Sequence, residues 1–145
     1  QEVTIQASFG VFQVRKPFKE LVFIAAGAGI APLRSMIHDL LEENIKEKIT
    51  LIFGFKHEQD FFFKEELQEL EKKHENFALI PIMSQPKQEF LGRKGRVTNH
   101  LKELILPGEK DFYICGPNQM INDTLNILIK EMNFKKEQTH LERWG

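Results

Sequence analysis

Apolar and polar positions change their period along this chain, and the changes mark its elements. Val3, Ile5 and Ala7 alternate with Thr4, Gln6 and Ser8, the pattern of a half-buried strand. Phe9-Gly10 interrupts the run and Val11-Phe12-Gln13-Val14 resumes it, which predicts two short antiparallel strands around a turn. A hairpin by itself is marginal in water, so this segment reads as the end of something larger upstream, and a first residue Gln1 reads as that of a fragment or a processed product.

From Leu21 the pattern becomes regular. Leu21 to Ala25 predicts a strand, Gly27 to Gly29 a turn, and about Pro32 to Glu43 a helix with Leu33, Met36, Ile37, Leu40 and Leu41 on one face. Ile49 to Phe55 predicts a second strand and Phe61 to His74 a helix, with Asp60 as N-cap and Phe63, Leu67 and Leu70 inward. Phe77 to Met83 predicts a third strand. Ser84 to Gly95 reads as a loop, the kind of segment that clasps ligands. Arg96 to Leu104 predicts a short amphipathic helix, Asp111 to Cys115 a fourth strand, Pro117 to Met132 a helix with Met120, Ile121, Leu125, Leu128 and Ile129 inward, and Thr139 to Leu141 a last short strand. Strands alternating with helices predict an α/β three-layer sandwich, a central parallel sheet of about five strands with helices on both faces, entered from the antiparallel hairpin.

The 145 residues are enough for a core that needs no staples, and the single cysteine cannot form an internal disulfide, which suits a cytoplasmic or cytosol-facing chain. A net charge of −1 recommends neither nucleic acid nor an anionic membrane as partner. The longest apolar runs fall far short of the ~20 residues of a membrane span. The five histidines are scattered without ligand-like spacing, and no metal site is expected.

Candidate chemistry gathers at two turns, Gly27-Ala28-Gly29-Ile30-Ala31-Pro32 after the first regular strand and Cys115-Gly116-Pro117 after the fourth. Both belong at the carboxyl edge of the sheet, where open α/β sheets hold ligands. Glycine there lets the backbone take positive φ and approach a phosphate, and the following helix offers amides and a partial positive charge. Pro32 suits the first helical position. The turn lacks the third glycine of GxGxxG and the Lys-Ser/Thr of a Walker loop, so kinase and ATPase readings lose support. A flavodoxin-like phosphotransfer domain would need a carboxylate cluster that Asp60 and Asp111 do not make. Cys115 is either a small buried apolar group or a chemical participant.

Ala25-Ala26-Gly27-Ala28-Gly29-Ile30-Ala31-Pro32-Leu33-Arg34-Ser35-Met36, Tyr113-Ile114-Cys115-Gly116-Pro117 with Met120, and Glu142-Arg143-Trp144 together resemble the pyridine-nucleotide domain of the ferredoxin-NADP reductase family, which includes cytochrome b5 reductases, flavohaemoglobin reductase domains and oxygenase reductases. The resemblance implies that residues 19–145 form an NAD(P)-binding domain and that residues 1–18 are the end of a flavin-binding β-barrel. The barrel segment that grips the flavin in this family is absent here. It further implies that Gly27 to Pro32 cradle the pyrophosphate, with Phe55, Lys56, Ser84 and Gln85 at the ends of strands two and three completing the nucleotide site. Gly116 and Pro117 would shape the floor under the nicotinamide, and Met120 would belong to the cofactor-binding set. Cys115 would sit beside the reacting carbon, Glu142 would help place the ring, and Trp144 would cover the flavin, although Gly145 follows it. Where NADPH-preferring members carry Ser-Arg and a downstream Tyr, this chain has Ser84-Gln85-Pro86 and no Tyr. Lys56, Lys87, Arg93, Lys94 and Arg96 are alternative phosphate partners or a solvated charged surface, and NADH is modestly favoured.

The activity so implied is hydride transfer from NAD(P)H to FAD in the upstream domain, then electron transfer to a ferredoxin, a haem protein or an oxygenase. The alternative is a non-catalytic nucleotide-binding or docking subunit of an electron-transfer complex.

Overall fold

The computed structural model describes residues 2–7, 10–15, 18–87 and 89–144. Of the interruption expected at Phe9-Gly10, Phe9 lies outside the described residues, as does the ring of Trp144, and Gly10 opens the second strand. Strands β1 (Glu2–Ala7) and β2 (Gly10–Arg15) pair antiparallel as a separate ribbon, from Glu2 opposite Arg15 to Ala7 opposite Gly10.

The remaining strands form one parallel sheet: β3 (Glu20–Ala26), β4 (Ile49–Phe55), β5 (Phe77–Met83), β6 (Arg93–Lys94), β7 (Lys110–Pro117) and β8 (Thr139–Trp144). Their spatial order is β6-β5-β4-β3-β7-β8. The chain therefore winds outward from β3 in one direction through β6, then crosses back to lay β7 on the other side of β3. That reversal creates a crevice at the carboxyl ends of β3, β4 and β7.

Both faces of the sheet are covered, which is why β3, β4 and β7 are near-continuous apolar runs. Alternation assigns the side chains. Leu21, Phe23, Ala25, Leu51, Phe53, Tyr113 and Cys115 face the layer of α1 (Ile30–Glu42) and α2 (Lys64–Lys73), whereas Val22, Ile24, Ile52, Phe112 and Ile114 face that of α3 (Leu101–Leu104) and α4 (Asn118–Leu125). On the first face Phe23 stacks on Tyr113 at 5.5 Å and Tyr113 on His140 at 4.5 Å. Helix α1 ends with Asn44 in the left-handed region at φ 56°, the residue type that tolerates it after glycine.

Several boundaries differ from the sequence expectation. The sheet has six strands rather than about five, because Arg93 and Lys94 pair with Ile82 and Met83 inside the expected loop. Two charged residues carry no hydrophobic alternation by which to announce a strand. Helix α2 begins at Lys64 rather than Phe61. Its N-cap is Phe63 at φ 62°, exposed rather than inward, and Asp60 instead closes a 3-10 turn by accepting the His57 N–H at 3.1 Å. Helix α1 starts two residues early, at Ile30, which makes Pro32 its third residue. The expected Arg96–Leu104 helix divides into a 3-10 turn, Val97–Asn99, and the single turn of α3. The long last helix is regular only through Leu125, then widens to a π-helical turn over Asn126–Glu131.

Candidate functional site

At the crevice left by the strand reversal lies a cleft of about 330 Å³. Its rim begins at Ala26 and Gly27, continues through Gly54, Phe55 and Lys56 after β4 and Ser84 after β5, and closes through Gly95, Arg96, Val97 and Thr98 on one side and Pro117, Gln119, Met120 and Asp123 on the other.

Backbone pairing assembles these segments. Ala26 lies in register with Gly54. The β4–β5 ladder continues past both strand ends, with Ser84 N–H donating to Phe55 O at 2.9 Å and Gln85 N–H to Lys56 O at 2.8 Å, and the His57 ring N–H donates to Gln85 O at 2.6 Å. Lys56 and Ser84 are thereby held side by side. Phe55, buried and 4.6 Å from the stacked ring of Phe61, gives the wall an aromatic backing.

The two glycines of the first turn meet different constraints. Gly27 has φ +56°, and a Cβ there would meet nothing within 4 Å, so it supplies an unusual backbone conformation beside open space. Gly29 has no such φ. A Cβ on it would lie 2.2 Å from the Cys115 carbonyl oxygen, so this glycine permits close packing of α1 on β7. On the opposite side a Cβ on Gly116 would lie 2.5 Å from Met120 Cε, and Met120 is fixed in turn by the Thr124 hydroxyl donating to its sulfur at 3.3 Å. Gly54 is equally constrained, since a Cβ there would reach within 2.4 Å of Val97 Cγ2.

The start of α1 carries no side-chain cap and no acidic residue in its first turn, so its partial positive charge is left uncompensated by side chains, although none of Ala28 to Pro32 lines the cleft. The Ile30 N–H turns back to the carbonyls of Gly27 and Ala28, and Pro32 has none to offer. Ile30 and Pro32 pack into the core, while Ala28 and Ala31 are exposed.

Of the residues expected from sequence, the structure brings Gly27, Phe55, Lys56, Ser84, Pro117 and Met120 into the cleft. Gly29 and Gly116 support it from behind, and Gln85 contributes its carbonyl to His57. Cys115 is fully buried on the α1 face of the sheet, outside the cleft lining. Glu142 stands opposite it in the β7–β8 register, and burial pushes the Glu142 carboxyl above its ordinary range. The backbone of Trp144 pairs opposite Pro117. Arg93 is held by Glu103 at 2.8 Å and takes no part in the lining. Gly54, Val97, Thr98, Gln119 and Asp123 line the cleft without a sequence signal of their own. The β3–β4 register brings Gly54 there, and the i, i+4 spacing of Gln119 and Asp123 puts both on one face of α4.

The family model of the oxidoreductase NAD-binding domain matches residues 23–126. A component protein of the Na(+)-translocating NADH-quinone reductase of Serratia proteamaculans is 34% identical over 152 aligned residues, covering 99% of this chain and 37% of that protein. Its counterpart in Neisseria meningitidis gives the same figures. The chain thus spans little more than a third of these relatives. Among solved structures, the CS-b5R domains of human Ncb5or match with a TM-score of 0.75 at 25% identity, over 86% of this chain and 36% of that one. The flavohaemoglobin-like FAD/NAD-binding domain of nitric oxide dioxygenase from Vibrio cholerae matches with a TM-score of 0.82 at 24% identity, over 92% of this chain and 54% of that one, a likeness of fold.

Proposed function

This chain belongs to the oxidoreductase NAD-binding domain family, and from that premise we propose that it holds NADH in the β3–β4–β7 cleft and presents it for hydride transfer to FAD, the flavin being held by a barrel domain of the same protein whose end is residues 1–18. The observation that carries the reading is the cleft itself: an open positive-φ glycine on one rim, leading into the uncapped start of α1, with Lys56 and Arg96 as cations on the others. Such a set suits a pyrophosphate-linked dinucleotide. NADH is preferred to NADPH because the two bacterial relatives are NADH-quinone reductase components and because Gln85, where a cation would grip an extra phosphate, is neutral.

In this reading the residues of the chain position and do not react, since hydride transfer needs no general base. The flavin, when bound, supplies the hydride acceptor. Cys115, buried beneath the carboxyl edge of β7, and Glu142, opposite it across the β7–β8 register, would back the place where the nicotinamide and flavin meet, with Trp144 beyond them. Electrons then pass to a protein acceptor or, as in a quinone reductase, toward quinone. Among the described residues no helix is long and apolar enough to cross a membrane, so membrane attachment would come through partners or other segments.

The burial of Cys115 favours a second reading, in which the chain binds nucleotide as a docking subunit without turning it over. Anaerobic mixing of NADH with the flavin-loaded protein, upstream domain included, separates the two. Catalysis predicts rapid bleaching of the flavin, slowed about tenfold or more in Cys115→Ser with a smaller change in NADH affinity. NADH binding with no bleaching would establish the docking role.

A further inference from the structure

The cleft carries an acid as well as cations. Among the described residues, three charged side chains line the cleft: Lys56, Arg96 and Asp123. The two cations flank Gly54: Lys56 follows it at the end of β4, and Arg96 precedes Val97, whose side chain covers it. Gly54 is in register with Ala26, so both cations stand on the β4 side of the strand end from which the glycine turn springs. Asp123 lies on the β7 side, on the second turn of α4 (Asn118–Leu125), about 7 Å along the axis from the start of that helix. The residue is half-buried, and Gln119 Nε2 donates to its two carboxylate oxygens at 3.3 and 3.2 Å.

A carboxylate accepts and never donates. Two vicinal hydroxyls of a ribose offer it two donors, whereas a 2′-phosphate at the same place offers like charge, partly shielded from water. Acidic side chains make the same distinction at the ribose in other dinucleotide sites. The other cations of the 87–96 segment do not offset it. Arg93 is committed to Glu103 at 2.8 Å, and Lys87 and Lys94 lie outside the lining.

Resting on the nucleotide reading above, we propose that Asp123, steadied by Gln119, is the residue that makes this cleft select a dinucleotide with a free ribose diol over one bearing a 2′-phosphate. Asp123 and Gln119 thus set specificity, and Lys56 and Arg96 set affinity for both nucleotides alike.

The test is a calorimetric titration of the 145-residue chain, and of Asp123→Asn and Asp123→Ser, with NADH and with NADPH, thermal melting serving to verify that each variant is folded. Wild type should prefer NADH by about tenfold or more. Both variants should lose most of that preference, chiefly by gaining NADPH affinity, while Lys56→Gln should weaken both nucleotides and leave their ratio in place. An unchanged ratio in folded Asp123 variants that still bind NADH would overturn the role of Asp123 and leave the nucleotide site standing. Failure of folded wild type to bind either nucleotide would overturn both.

Discussion

At the residue scale, glycines at neighbouring positions answer to different physics. Gly27 is required by its own backbone angle, φ +56°, and Gly29 by a neighbour, the Cys115 carbonyl, 2.2 Å from where a Cβ would sit. Substituting each by alanine should therefore give unequal losses. Gly27→Ala should cost about 1–2 kcal/mol of left-handed strain, whereas Gly29→Ala must part α1 from β7 and should cost roughly 3 kcal/mol. Urea midpoints for the two variants check this, and equal small losses would contradict the assigned packing. Both positions are legible in the sequence as glycines of a ligand turn, but the distinction between them depends on where β7 lies. Pro32 is legible as a helix-start proline, yet it falls at the third position rather than the first, because Ile30 already turns its N–H back into the turn.

At the element scale, α1 and α2 are tied by charge. Glu66 accepts from Arg34 Nε and, at 2.8 Å, from Arg34 Nη2, and its carboxylate also meets His38 Nε2 at 2.7 Å. Hydrogen bonding from Arg34, chiefly, holds the Glu66 carboxyl below its ordinary value of 4.5. A carboxylate depressed in the folded state stabilises above its unfolded value, and that contribution is lost as pH falls below 4.5 through the folded value. Because the pair is partly exposed, its contribution should stay below about 1 kcal/mol. Glu66→Gln should lower stability at neutral pH by that amount and flatten the loss below about pH 4.5, as read from urea midpoints across that range; an acid limb identical to wild type would remove the link. Elements with continuous apolar runs, β4 and β5, are legible to the residue. The start of α2 is not, because three consecutive phenylalanines hide which one turns left-handed. The two-residue β6 is not either, since its pairing owes nothing to side-chain pattern.

For the whole molecule, the sheet order β6-β5-β4-β3-β7-β8 converts scattered residues into one cleft. The glycine turn, Lys56, Ser84, Pro117 and Met120 are legible from sequence, because each ends a recognisable strand or opens a recognisable helix. Gly54, Thr98, Gln119 and Asp123 are not, since strand register and helix phase alone bring them together. The chain's membership of the NAD-binding family and the location of that cleft yield a claim about place as well as ligand. An NMR titration with NADH, observing the methyl groups of methionine, tests both at once. The Met120 methyl, whose residue lines the cleft, should shift saturably, while that of Met36, buried on the core face of α1, should hold still. No shift at Met120 under saturating NADH, or equal shifts at both, would contradict nucleotide binding in this cleft.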